Sequence, residues 1–113
     1  MKLSAEVRHA QLETFAQFCN GGAIEVLEKG QILARFPLPT PAFTQRKDGI
    51  WVGQPAPEEN AKAGTPGIYV VRSANGAEVA RGIVGDDLTV TPSTLRDGTR
   101  VVCDPITLGL ENT

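Results

Sequence analysis

The chain reads as a mainly β protein: an antiparallel β-sandwich or jelly-roll-like barrel with one N-terminal α-helix. Three observations predict this. Short β-prone runs recur between turn residues, with 12 glycines and 8 prolines spread over 113 positions. Such punctuation is the pattern of a sandwich or barrel. Residues 68–84 hold the strongest hairpin signal, two β-prone arms about Asn75-Gly76, a pair that tolerates the two positive φ angles of a type I′ turn. Both faces of those arms carry apolar side chains, so the hairpin needs a second sheet or a helix across it.

Residues 4–19 meet the requirements of a helix. Ser4 is an N-cap, and Glu6 suits the positive end of the helix dipole. Ala5, Val7, Leu12, Phe15, Ala16, Phe18 and Cys19 fall within half the helical circumference, with Glu6, Glu13 and Gln17 opposite. Asn20-Gly21-Gly22 supplies the stop, because glycine accepts a left-handed conformation there. The wide apolar face calls for cover, either from the chain's own sheet or from a neighbouring subunit.

Residues 23–27 and 31–36 form a second hairpin about Lys29-Gly30. Ile24 and Val26 face one way, and Ile32, Ala34 and Phe36 line one face of the partner strand. The run Pro37-Leu38-Pro39-Thr40-Pro41 is a corner or edge, since proline donates nothing to a sheet ladder. Phe43 is a core plug, Asp48-Gly49 a turn and 50–52 a short strand. Residues 54–67 are the least regular part, with a short strand at 60–63. A connection of that length reads as a surface loop with a task. In the central hairpin Tyr69 and Val71 share one face, and Ile68 and Val70 the other. On its return arm Val79, Arg81 and Ile83 alternate with Glu78, Ala80 and Gly82. Gly85-Asp86-Asp87 is a turn, 88–91 a strand, and 92–98 a loop closing on Asp97-Gly98. Residues 99–110 are a last strand, broken near Asp104-Pro105. One domain covers 1–113: the helix in 1–20, the sandwich in 22–110 and a polar tail at 111–113.

Composition narrows the function classes. The formal net charge is −2 and 41% of residues are hydrophobic, ordinary for a globular chain. Acidic and basic residues are interspersed without a basic stripe, which argues against nucleic acid. No apolar run approaches the ~20 residues that span a bilayer. The first residues lack the charged and apolar regions of a signal peptide, which points to a cytoplasm. Cys19 and Cys103 lack metal-type spacing and read as two small buried thiols, with a bridge between them as the alternative.

No reactive constellation stands out. His9 is the single histidine, at the edge of the helix's apolar arc, and reads as a solvated side chain without partners for nucleophilic catalysis. Asp86, Asp87, Asp97 and Asp104 lack the spacing of a calcium loop and fit turn chemistry. Gly82-Ile83-Val84-Gly85 has no phosphate-loop lysine. Arg72 and Arg81 belong on a solvated rim, or need a carboxylate if either points inward. Trp51 is a core filler or, if exposed, an interface anchor. No catalytic residue, cofactor or metal is expected.

The order of motifs resembles a group of small bacteriophage and prophage virion proteins. The likeness runs from Asn20-Gly21-Gly22 and Ala23-Ile24-Glu25-Val26 through Ile32-Leu33-Ala34-Arg35-Phe36-Pro37-Leu38 and Pro41-Ala42-Phe43. It continues in Tyr69-Val70-Val71-Arg72, Asn75-Gly76, residues 78–85, Asp87-Leu88 and Asp97-Gly98-Thr99-Arg100-Val101. These are turn and core residues. The Pro-rich 36–41 segment departs from the group. The resemblance implies a head-associated, decoration-like structural protein without enzymatic activity, located in the virion and in the host cytoplasm before assembly. Its expected partners are the major capsid protein, other virion proteins and further copies of itself, with no small-molecule substrate and no membrane. Candidate interface residues are Leu12, Phe15, Phe18, Trp51 and Tyr69. The alternative is a small carbohydrate- or ligand-binding β-sandwich module of a phage tail or baseplate.

Overall fold

The computed structural model describes residues 4–86 and 88–108. The expected strand end at 109–110, the tail at 111–113 and the Asp87 position of its turn lie outside these residues. Ser4 caps a helix, α1 (Ala5–Cys19), by accepting the Val7 N–H on its hydroxyl at 3.3 Å. Gly21 adopts φ +70°, ending the helix as the sequence requires. Asn20 accepts the Ala42 N–H at 2.8 Å, which ties the helix end to the proline corner.

The strands are β1 (Ala23–Glu28), β2 (Gln31–Pro37), β3 (Thr44–Gln45), β4 (Trp51–Gly53), β5 (Ile68–Arg72), β6 (Glu78–Ile83), β7 (Val90–Thr91), β8 (Val102–Cys103) and β9 (Ile106–Leu108). They pair antiparallel into a four-stranded sheet ordered β2-β1-β5-β6, a three-stranded sheet β3-β4-β9 and a β7-β8 pair. The result is a sandwich-like β fold with one N-terminal helix. The core lies between these layers, with Phe36, Ile24, Val26, Val101, Cys19 and Cys103 fully buried. Each large aliphatic or aromatic side chain so buried contributes about 1.5–3 kcal/mol.

The type I′ geometry expected at Asn75-Gly76 is found instead at the Lys29-Gly30 turn. Lys29 (φ 50°) and Gly30 (φ 82°) supply the two consecutive positive φ angles of a type I′ turn. At the central hairpin only Gly76 is positive, at φ 87°. There the Gly76 N–H donates to the Ser73 carbonyl at 2.9 Å, and the Ser73 N–H donates to the Ala77 carbonyl at 2.9 Å. This is a three-residue loop, a type I turn closed by a left-handed glycine. Asn75 keeps it by accepting from the Ser73 hydroxyl and the Ala77 N–H.

Two β-bulges correct the expected face assignment. On β2, Val26 faces Ala34 but Leu27 faces Ile32, so Leu33 is an extra residue. Leu33 and Ala34 both turn inward, and Ile32 leaves the core face assigned to it. On β6, Arg72 faces Glu78 but Val71 faces Ala80, so Val79 is the extra residue. Glu78 therefore joins Arg81 and Ile83 on the outer face instead of alternating with them.

The helix packs on the chain's own core through Leu12, Ala16 and Cys19, with Phe15 half-buried beside them. The buried stripe is narrower than the expected half-circumference, since Val7 is 44% and Phe18 59% exposed. The helix lies near β6, and a groove opens between it and the hairpin tip.

Residues 54–67 form a strap, not an open loop, and 60–63 is not a strand. Glu58 and Val101 exchange hydrogen bonds at 2.9 and 2.8 Å, and Gly64 and Leu95 at 3.1 and 2.8 Å. On the other side Ala56 donates to Pro37 and Lys62 to Leu33, each at 2.8 Å, so the strap closes the edge of β2. Prolines at 55, 57 and 66 lack N–H groups, which spaces the rungs too widely for a continuous ladder.

Two glycines differ in why they are required. A Cβ on Gly22 would sit 2.0 Å from the Arg72 carbonyl oxygen, whereas one on Gly76 meets nothing within 4 Å. Gly22→Ala is expected to cost more than about 2 kcal/mol in urea unfolding, by overpacking against backbone. Gly76→Ala should cost about 1 kcal/mol, from its left-handed φ alone.

Candidate functional site

Residues directly opposite in an antiparallel pair share a face. One face of the four-stranded sheet carries Ile24, Val26, Ala34, Phe36, Tyr69, Val71 and Ala80 into the core. The opposite face is ordered in rows that cross all four strands. The first row is Ile32, Leu27, Ile68 and Ile83. The second is Arg35, Glu25, Val70 and Arg81, and the third is Pro37, Ala23, Arg72 and Glu78.

The polar rows are closed by their own side chains. Arg72 Nε donates to Glu25 Oε1 at 2.7 Å and its Nη1 donates to the Gly76 carbonyl at 3.1 Å, so one guanidinium joins β1 to the hairpin tip. Glu25 is only 7% exposed and needs that partner. Arg81 meets Glu78 at the surface with a two-pronged contact, Nε to Oε2 at 2.9 Å and Nη2 to Oε1 at 2.5 Å. Hydrogen bonding from Arg81, then the charges of Arg81 and Arg72, hold the Glu78 carboxyl below its ordinary range. Ala23 and Val70 are buried although they lie on this face.

The aliphatic row is open. Ile32 is 42%, Ile68 38% and Ile83 59% exposed, and Leu27 is half-buried. A second apolar surface is a groove of about 910 Å³ between α1 and the hairpin tip, floored by Val7, Ala10, Phe18, Ala77 and Val79. A more enclosed cleft of about 460 Å³ lies between the layers, where Phe15, Phe43, Tyr69 and Leu108 meet.

The five candidate interface residues do not form one surface. Leu12 is core. Phe15 is half-buried and tilted against Phe43, with ring centroids 6.0 Å apart. Tyr69 is half-buried, its ring lying across Gly82. Trp51 is half-buried against the core, and its buried Nε1 has no hydrogen-bond partner among the described residues. Phe18 alone stands clear, in the groove. Trp51 and Tyr69 thus supply no exposed aromatic platform of the sort a sugar stacks on.

Asp48 and Asp97 accept from backbone N–H groups, those of Ile50 and Ala63, and Asp104 from a side-chain hydroxyl, that of Thr89. Among the described residues no group of three His, Cys, Asp or Glu gathers as metal ligands, and no helix is long and apolar enough to cross a membrane. His9 is half-buried beside the Gly49 turn. Comparison with family models, with curated proteins and with solved structures finds no match.

Cys19 and Cys103 are free and buried. Burial pushes the Cys19 thiol up to about 11 and, with the charge of Asp104 added, the Cys103 thiol up to about 12. An unfolded thiol ionises near ~8.5. Above that pH the unfolded chain releases protons that the folded chain keeps, so stability is lost as pH rises toward the folded values. The urea midpoint is expected to fall between about pH 8 and pH 10, and Cys19→Ala with Cys103→Ala should flatten part of that slope.

The two ion pairs should separate in mutagenesis. Arg72→Met is expected to cost about 1–3 kcal/mol in urea unfolding, discounted from the full burial penalty because Arg72 is part-exposed. Arg81→Met should leave the midpoint within experimental error.

Proposed function

We propose that this chain is a non-enzymatic structural subunit of a bacteriophage particle, attached to the capsid as a decoration, cement or head-joining part. The observation that carries the reading is the aliphatic row left open across the four-stranded sheet. An apolar stripe spanning a sheet favours contact with another apolar surface. The turn and core motifs that resemble small virion proteins support the same reading. Its chemistry is adhesion: a rigid layered scaffold holds a fixed row of side chains toward a partner. The virion is its working location.

The test is composition of the particle. Gradient-purified particles made by the genome that encodes this chain should contain it in stoichiometric amount by quantitative mass spectrometry. A chain abundant in the lysate but missing from intact particles would contradict the proposal.

A further inference from the structure

Asparagine followed by glycine occurs twice in the chain, at Asn20-Gly21 and Asn75-Gly76. In such a pair the glycine nitrogen carries no side chain beside it to hinder attack on the asparagine amide. We infer that Asn75 is a self-modification site: in the folded chain it loses ammonia to attack by the Gly76 nitrogen and becomes aspartate or isoaspartate, while Asn20 keeps its amide.

The reaction needs only water. The Gly76 nitrogen gives up its proton and bonds to Asn75 Cγ, the Cγ–Nδ2 bond breaks, and the amide nitrogen leaves as ammonia with the transferred proton. Water then opens the five-membered imide. Cleavage at Cγ gives aspartate. Cleavage at the backbone carbonyl gives isoaspartate, whose chain runs on through Cγ and is longer by one carbon.

Neither pair is set for attack as folded. Ring closure turns the nitrogen to the Cβ side, at ψ of about −120°, whereas the second central residue of a type I turn sits at about 0°. Asn20 has ψ 123°. The two sites therefore differ in what must open first. At the tip the ties are local. The Gly76 N–H donates to the Ser73 carbonyl at 2.9 Å, and Asn75 Oδ1 accepts from the Ser73 hydroxyl and the Ala77 N–H. Residues 74–78 are exposed, and a Cβ on Gly76 would meet nothing within 4 Å.

Asn20 is half-buried, and its ties run to another part of the chain. Its Oδ1 accepts the Ala42 N–H at 2.8 Å, and the Gly21 N–H donates to the Pro39 carbonyl at 3.3 Å. Freeing Asn75 takes the opening of one exposed loop. Freeing Asn20 takes the helix end off the proline corner. Exposed loop tips open at far lower cost than packed helix ends.

The product alters the tip. The formal net charge of −2 becomes one unit more negative, and the new carboxylate stands on the groove with Glu78. In the isoaspartate form the extra carbon spoils the fit of the three-residue loop to its arms and moves the Gly76 carbonyl that Arg72 Nη1 holds.

The experiment holds the purified chain in mildly alkaline buffer, folded and in urea, and follows each site by peptide mass mapping with isoaspartate detection. Each folded rate is divided by the same site's rate in urea. That ratio should be at least about tenfold higher for Asn75 than for Asn20. Ser73→Ala removes the hydroxyl bond to Oδ1 and should speed the folded reaction at Asn75 by about threefold or more, with its rate in urea and the urea midpoint unchanged. Equal ratios at the two sites would overturn the inference, as would a folded chain in which neither site reacts while the unfolded chain is consumed. A Ser73→Ala chain that folds as wild type and loses the Asn75 amide no faster would overturn it as well. Particle binding enters none of these readouts, so the virion role stands or falls separately.

Discussion

Two extra residues decide what this protein shows to its surroundings. Side chains alternate along a strand, so one inserted residue exchanges the faces of everything beyond it. Leu33 on β2 and Val79 on β6 are those residues. Were Leu33 an ordinary strand residue paired in register, Ile32 would stand with Ala34 and Phe36 in the core. Were Val79 one, Glu78 would face inward with Ala80, and its carboxylate would need a buried partner. The bulges sit on the two outermost strands of the four-stranded sheet. They bring Ile32 at one edge and Ile83 at the other into line with Leu27 and Ile68 in the middle.

The surrounding packing holds that arrangement in place. The strap at 54–67 hydrogen-bonds to β2 at Leu33, the bulge residue itself, so the extra residue is pinned from outside the sheet. Leu33 also lies against Gly64, where any Cβ would meet its methyl groups at 2.9–3.1 Å. On β6, Val79 lines the helix groove, while Arg81 grips Glu78 across the bulge. Arg72 spans from Glu25 to the hairpin tip and keeps the polar half of the face closed. The aliphatic half has no such cover, and the contrast between the two halves gives the face its direction.

Much of this was legible in the residues. Ser4 and Glu6 with Asn20-Gly21-Gly22 mark both ends of the helix, since capping chemistry is local. Lys29-Gly30, the proline corner, Phe43 and the break at Asp104-Pro105 are local signals too, and each falls where expected. Asn75-Gly76 marks its hairpin, but not the turn type, because Gly76 closes a three-residue loop as readily as a two-residue one. The bulges were not legible. Nothing in Gln31-Ile32-Leu33-Ala34 distinguishes a regular strand from one with an extra residue, because the choice depends on a strap more than 20 positions away in sequence. The aliphatic row was hidden for the same reason: its four members lie on four strands, and cross-strand register decides that they meet. The candidate residues chosen for aromatic character, Trp51 and Tyr69 among them, serve mainly to fill space between layers.

The proposed contact role rests on a surface that cross-strand register assembles. The register places the row on the face opposite the one that carries Ile24, Val26, Ala34 and Phe36 into the core. The most direct measurement is methyl–methyl nuclear Overhauser contacts in the folded chain. The face assignment predicts an unbroken chain of contacts from Ile32 to Leu27, Ile68 and Ile83. Contacts from the Ile32 methyls to Val26 or Phe36 instead would place that side chain in the core and contradict the account.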